Sequence, residues 1–214
     1  MTPYIKVAVI GGTGKAGKYI VKNLLAQGFS IKTLLRYPEK FQISSPLIEI
    51  VKGDARDLLA IRQLLKDCQA IISAVGQPVG EPSVFSQVTR NIIQVMHEYQ
   101  MHRYILITGL NVDTPFDQKS PKTKFGTDWM KTNYPLTTAD KQVEYETLVE
   151  SDIDWTLVRL PMIEQTDTIN EIKIDLEDCP GDQISATDLA LFLIKQLTDQ
   201  KYIKKAPFIS SVKM

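Results

Sequence analysis

The sequence predicts an α/β fold in which a doubly wound parallel sheet carries helices on both faces. Two observations predict it. Short apolar runs alternate with amphipathic stretches through most of the chain, the pattern of strands buried on both sides and covered by helices. The first such run passes directly into "GGTGKAGKY", Gly11 to Tyr19, and a glycine-rich turn between a strand and a helix marks the phosphate-binding α/β sheets. The length of 214 residues is enough for a single well-buried domain, residues 1–214.

The elements follow in order. "YIKVAVI", residues 4–10, is an apolar first strand. "GKAGKYIVKNLLAQG" is the helix after it, with Ile20, Leu24 and Leu25 on one face and Gly28 as its stop. Further buried strands are expected at 30–36, 47–54, 69–76 and 103–109. The helical stretches "DLLAIRQLLKD" and "SVFSQVTRNIIQVMHEYQ" lie between the later ones. "KQVEYETLVESD" is another helix, followed by the strand "IDWTLVRLP", and "SATDLALFLIKQLTD" is a late helix with Ser185 as its N-cap. The rhythm breaks at 111–138, a polar stretch with three prolines. It follows a strand at its carboxyl end, where open α/β sheets bind ligands, and is expected to be a lid-like insertion on the substrate side. Its aromatics Phe125, Trp129 and Tyr134 are candidates to stack on a planar ligand or to close the lid on the body.

Bulk properties narrow the partners. Lys plus Arg and Asp plus Glu both count 25, so no net field favours nucleic acid or an acidic membrane. No run approaches the ~20 apolar residues of a membrane span. The N-terminal apolar run has no basic flank or small-residue cleavage site, and Cys68 and Cys179 show no CxxC or zinc spacing, which fits two packed thiols in a reducing compartment, with a disulfide as the minor reading. A cytoplasmic protein is expected, a monomer or homodimer with a small-molecule partner and no metal. His97 and His102 lack metal spacing and are expected to be structural or surface groups. Asp188 is expected to serve the first turn of the last helix.

The glycine loop fits two spacings. Read as GxxxxGK from Gly12, it lacks the Ser or Thr that must follow Lys18 to ligate magnesium; Tyr19 stands there. Read as GxGxxG, every glycine has a task. Gly12 permits the tight turn, Gly14 lets backbone amides approach a pyrophosphate, and Gly17 lets the helix pack on the first strand, which is the Rossmann-type arrangement. An NAD site usually has an acid about 20 residues further on, at the end of the second strand. Here that strand ends "TLLRYPEK". Arg36 in the acid's place grips a 2′-phosphate with paired hydrogen bonds, and Lys40 adds charge, so NADP(H) is expected over NAD(H). The competing role for Arg36 is an ion pair with a surface acid such as Glu39.

Taken together, "GGTGKAG", "LLR", "VKGDARD", "AVGQP", "ILITG", "SDIDWTLVRLP" and "ISATDLA" resemble the atypical short-chain dehydrogenase/reductase-like NAD(P)H-binding proteins. These include the NmrA-like proteins and the NADPH-dependent flavin reductases and biliverdin-IXβ reductases. The resemblance spans nearly the whole chain. It implies that Gly11, Gly12, Thr13, Gly14, Lys15, Ala16 and Gly17 form the pyrophosphate turn, and that Arg36 and Lys40 hold the 2′-phosphate. Asp54 and Ala55 face the adenine, with Ala74, Val75 and Gly76 beneath the adenosine ribose. Thr108 and Gly109 adjoin the nicotinamide from one side, and Pro161, Met162 and Ile163 from the other. Lys141 matches the lysine that holds the nicotinamide ribose, so Lys141 and Thr108 are the catalytic candidates.

Two departures bear on the chemistry. Four residues before Lys141 stands Thr137, where the dehydrogenases have the tyrosine that donates a proton to a carbonyl. Gly109 stands where flavin and biliverdin reductases have a serine. A flavin, quinone or tetrapyrrole takes its proton from solvent and needs no such tyrosine. The leading expectation is therefore an NADPH-dependent reductase of a planar acceptor. The alternatives are a non-catalytic NADP(H)-binding sensor or regulatory module, and epimerase- or dehydratase-like chemistry on a sugar nucleotide, against which the missing tyrosine speaks.

Overall fold

A computed structural model describes residues 5–212; Tyr4, at the head of the expected first strand, lies outside them. The strands are β1 (Lys6–Ile10), β2 (Ser30–Leu35), β3 (Ile48–Lys52), β4 (Ala70–Ser73), β5 (Arg103–Gly109), β6 (Asp154–Leu160), β7 (Met162–Glu164), β8 (Ile172–Asp175), β9 (Gln183–Ser185) and β10 (Phe208–Ser211). The α-helices are α1 (Gly17–Ala26), α2 (Leu58–Leu65), α3 (Phe85–Glu98), α4 (Pro121–Asn133), α5 (Pro135–Glu150) and α6 (Ala186–Lys195). The main sheet runs β3-β2-β1-β4-β5-β6-β10-β8. Its first six strands are mutually parallel, which is the expected Rossmann-type order.

The central strands are apolar because both of their faces are covered. On one side Ile61 and Leu64 of α2, Ile92 of α3 and Leu148 of α5 pack in a single core. On the other side Ile20 and Leu24 of α1 meet Leu189 and Leu193 of α6. Ser185 caps α6 as expected, accepting from the Thr187 and Asp188 N–H groups. Asp188 lies in the first turn of α6, as expected. Its carboxylate accepts from the Asn170 backbone and side chain and from Ser211 Oγ, so it ties the approach to β8 to the end of β10.

The chain reverses its direction of winding between β1 and β4, and this opens a crevice at the carboxyl ends of the two strands. Three features of the sheet were not anticipated. β10 adds a parallel strand beside β6, β8 closes that edge antiparallel, and β7 pairs with β9 in a separate two-stranded ribbon.

Segment 111–138 is largely helical. Two of its three prolines begin helices: Pro121 opens α4 after the Ser120 cap, and Pro135 opens α5. Proline fits there because the first helical N–H has no partner to lose. The root of the segment is tied down. Lys119 Nζ donates to the carbonyls of Leu110 and Val112 and pairs with Asp113. The fully buried Arg159 of β6 donates from Nη1 to both carboxylate oxygens of Asp117, at 2.6 and 2.8 Å.

Candidate functional site

The turn after β1 sets the shape of the crevice. Gly11 has φ +79°, and a Cβ there would fall 2.2 Å from the Ala74 carbonyl oxygen. The close approach brings the β4 end against the loop, which only glycine allows. Gly17 is equally constrained, since its Cβ would meet Gly11 O at 1.9 Å. Gly14 N–H donates to Gly11 O at 2.9 Å and closes the turn. No side chain caps the first turn of α1 and no acid lies in it, so no carboxylate there opposes an anion at the positive end of the helix dipole.

The crevice has a volume of about 730 Å³. Most of the residues expected from the sequence line it: Gly11, Thr13, Gly14, Lys15, Ala16, Arg36, Lys40, Asp54, Ala55, Ala74, Val75, Gly76, Thr108, Gly109, Lys141, Pro161 and Ile163. Three do not. Gly12 and Gly17 shape the turn from behind, and Met162 is exposed on β7, on the opposite side of that strand from the cleft-lining Ile163. The aromatics Phe125, Trp129 and Tyr134 are also exposed and outside the lining. Trp129 and Tyr134 meet each other edge-on, 5.8 Å between centroids.

One end of the crevice is strongly charged. Arg36 Nη1 pairs with Glu81 at 2.9 Å rather than with Glu39, and Arg56 Nη2 pairs with the other Glu81 oxygen at 2.7 Å. Arg56 also holds Asp54 through its backbone N–H, Nε and Nη2. The Arg56 guanidinium keeps the Asp54 carboxyl below its ordinary range. Lys40 Nζ lies 4.6 Å from the centroid of the Tyr37 ring. Arg56 was visible in "VKGDARD" as a neighbour of Asp54, whereas nothing in the sequence marks Glu81, which comes from a different loop.

The other end is apolar, lined by Ile107, Leu160 and Ile163, with Lys141 and Thr108 as its polar groups. Thr108 Oγ1 is buried with no hydrogen-bond partner among the described residues, and so is Asn111 Oδ1 just beyond Gly109. Of these two, Thr108 lines the crevice and Asn111 lies two residues beyond the lining Gly109. The glycine at 109 has a local cause. A Cβ there would fall 2.4 Å from Asn111 Oδ1, and Asn111 is held by its Nδ2 bond to Thr138. Any side chain at 109 must therefore displace Asn111.

Lys141 stands on α5 with its Nζ 4.7 Å from the Phe85 ring centroid, and burial lowers its pKa. Thr137, one turn earlier, does not line the crevice. Behind Lys141 lies a buried chain of polar groups that the sequence did not reveal. Thr89 Oγ1 donates to Glu144 at 2.7 Å and sits 3.1 Å from the Tyr104 hydroxyl. Burial pushes the Glu144 carboxyl up to about 7 and the Tyr104 phenol well above its ordinary range. Glu144 is one helical turn from Lys141, a spacing readable in "KQVEYE", but only the packing against β5 shows that it is buried. His97 pairs with Asp152 on the surface at 2.7 Å, as a surface group rather than a ligand.

The sequence matches the profile of a family described as NAD(P)H-binding across residues 11–200, which takes in the glycine turn, Arg36, Lys141 and β6. This chain belongs to the NAD(P)H-binding family. The resemblance drawn from its motifs to atypical short-chain dehydrogenase/reductase-like proteins is borne out at that level. The NAD(P)H-binding chain is 32% identical over 119 residues to an uncharacterized chloroplastic protein of Arabidopsis thaliana, which covers 50% of this chain and 42% of the plant protein. It therefore spans less than half the length of that relative. An uncharacterized Bacillus subtilis protein is 23% identical over 155 residues, covering 72% of this chain and 70% of that one.

Among solved structures, the oxidoreductase ylbE from Lactococcus lactis superposes with a TM-score of 0.77 at 18% identity, covering 98% and 92% of the two chains. A short-chain dehydrogenase/reductase from Veillonella parvula, solved in complex with NADP, gives 0.78 at 12% identity over 97% and 95%. At these identities the likeness establishes the fold. No helix among the described residues is long and apolar enough to cross a membrane.

The crevice fits the dinucleotide that the family binds. It has a glycine turn and uncapped helix end at the centre, cations at one end, and an apolar wall with unpaired polar atoms at the other.

Proposed function

We propose that this protein is an NADPH-dependent reductase that delivers a hydride to a planar, electron-poor acceptor such as a flavin, a quinone or a tetrapyrrole. The observation that carries the reading is the asymmetry of the crevice. Arg36, Arg56 and Lys40 gather at the adenosine end, and the nicotinamide end has an apolar wall with Lys141 but no tyrosine. Guanidinium groups suit a 2′-phosphate, with which they form paired charge-assisted hydrogen bonds.

On this reading Gly11 to Ala16 and the α1 terminus hold the pyrophosphate, and Ala74 to Gly76 support the adenosine ribose. Arg56 uses three of the roughly four acceptor sites of Asp54, which leaves one on Oδ2 for the adenine amino group. Bound NADPH supplies the hydride. Thr108 and Lys141 orient the nicotinamide end, and Ile107, Leu160 and Ile163 keep water from it. The acceptor gains one hydride and one proton, the latter from solvent or from Lys141 Nζ. Residues 111–138 form a cover on the substrate side of the single domain, and the protein works in the cytoplasm as a monomer or homodimer.

The second reading, NADP(H) binding without turnover, is favoured by one pair of observations. Asn111 occupies the place a serine at 109 would need, and Thr137 lies outside the crevice.

Calorimetry tests the cofactor. NADPH is expected to bind more tightly than NADH, and Arg36→Ala to weaken NADPH tenfold to a hundredfold, about 1.5–3 kcal/mol, as for a hydrogen bond to a charged group. Equal binding of the two cofactors by the wild type refutes the preference. Adding a flavin or quinone to protein and NADPH then separates the readings, because only the reductase consumes NADPH, followed by its absorbance. No consumption with any such acceptor leaves the binding module.

A further inference from the structure

Among the described residues, Glu81 is the one carboxylate that pairs with both guanidinium groups at the adenosine end. One oxygen meets Arg36 Nη1 at 2.9 Å and the other meets Arg56 Nη2 at 2.7 Å. It reaches them from the loop between β4 and α3, 45 residues from Arg36 in sequence. The loop is fastened mainly to itself. Gln77 Nε2 donates to the carbonyls of Pro78, Glu81 and Pro82. Its tip has Gly80 at φ +74° in open space and Val79 fully exposed. Its far end is pinned where Asp140 accepts from Ser83 Oγ and the Phe85 N–H. Between those points the two ion pairs with Glu81 bind the loop to the ends of β2 and β3.

The charges in this corner leave little room for a second anion. Arg36, Arg56 and Lys40 face Asp54 and Glu81, three cations against two carboxylates, a surplus of one positive charge. A 2′-phosphate carries between one and two negative charges at neutral pH and has three acceptor oxygens. With Glu81 in place its charge exceeds the surplus, and two like-charged groups compete for the same N–H donors. With Glu81 withdrawn, both guanidinium groups are available to it.

We propose that Glu81 is an internal anion seated in the 2′-phosphate subsite, and that it limits the preference for NADPH over NADH. A 2′-phosphate displaces it by offering more charge to the same two arginines, whereas the 2′-hydroxyl of NADH does not. The inference rests on the NADPH reading above and adds to it a residue that competes with the 2′-phosphate and so narrows the preference for NADPH. Arg36 and Arg56 attract the phosphate, and Glu81 keeps them occupied until a stronger anion arrives. NADPH binding then frees the Gly76–Ser83 loop from β2 and β3.

The test is calorimetric titration of wild type, Glu81→Gln and Glu81→Ala with NADPH, NADH and adenosine 2′,5′-bisphosphate in one low-salt buffer. Two substitutions are used so that the result does not depend on one replacement, and Glu81 is partly exposed, so both are expected to fold. Both are expected to tighten NADPH and the bisphosphate on the order of tenfold, about 1.4 kcal/mol, and to change NADH by less than twofold. If the wild type prefers NADPH but neither variant tightens it, the displacement idea fails and the NADPH reading stands. If the wild type shows no preference for NADPH and the variants weaken NADH, Glu81 holds the ribose 2′-hydroxyl instead, and both readings fall.

Discussion

Asp117→Asn is expected to cost about 3–5 kcal/mol of folding stability, because it leaves the Arg159 guanidinium charged and uncompensated in the interior. Arg159 is fully buried. Its Nε donates to the Ala206 carbonyl at 2.8 Å, its Nη2 to that of Leu176 at 3.0 Å, and its plane stacks 3.6 Å from the centroid of Phe208. These contacts fix its position but do not neutralise it; Asp117 does. Lys119 Nζ lies 3.5 Å from the same carboxylate, so its loss also leaves Lys119 with Asp113 as its only acidic partner among the described residues. For a chain of this length such a loss corresponds to a fall in Tm of roughly 10 °C. Urea unfolding of the variant checks it, and the double variant Arg159→Met with Asp117→Leu is expected to regain most of the loss, since an apolar pair of similar volume needs no charge partner. A change below about 1 kcal/mol in the single variant contradicts the account. The pair joins the root of the 111–138 segment to β6, one residue before Leu160 and Pro161 of the crevice, so the single variant is also expected to weaken NADPH binding.

Glu144 is expected to make stability fall as the pH rises through neutrality. In the unfolded chain its carboxyl titrates near 4.5, and in the fold burial pushes it up to about 7. Between those values the folded state holds a proton that the unfolded state has lost. The contribution is therefore fully favourable below about 4.5 and is lost as the pH rises through 7, with a cost on the order of 3 kcal/mol by pH 8. The groups facing it are Thr89 of α3, Tyr104 of β5, and Lys141 and Asp140 of its own helix α5. The Thr89 hydroxyl and the Lys141 charge favour the carboxylate, whereas burial and Asp140 oppose it. Glu144→Gln keeps the shape and removes the titration. It is expected to flatten the stability profile between pH 5 and 8 and to be the more stable protein at pH 8. Wild-type stability that rises across this range overturns the prediction.

Much of the site was legible because it is local. β1, the glycine turn and α1 are consecutive in the chain, and the spacing of Gly12, Gly14 and Gly17 encodes the turn through contacts within a few residues. Arg36 was readable for the same reason, as the residue closing the second strand. Ser120 followed by Pro121 was a readable helix start, but the polar composition of 111–138 and its prolines concealed it; α4 has no continuous apolar face to signal a helix. β8 and β10 were missed because neither belongs to one of the repeated strand–helix units, and their place is settled by the neighbours they pair with.

By itself the sequence determined the strand order's local units, the phosphate-binding turn and the cationic end of the second strand, all of them set by short-range sterics and hydrogen-bond geometry. Only the tertiary structure decided which charges meet. Glu81 lies across Arg36 and Arg56, Asp117 lies against Arg159, and Glu144 of α5 lies against Thr89 of α3 and beside Tyr104 of β5. Each pairing joins residues from separate elements, and its energy depends on distance and burial, which exist only once the sheet has assembled.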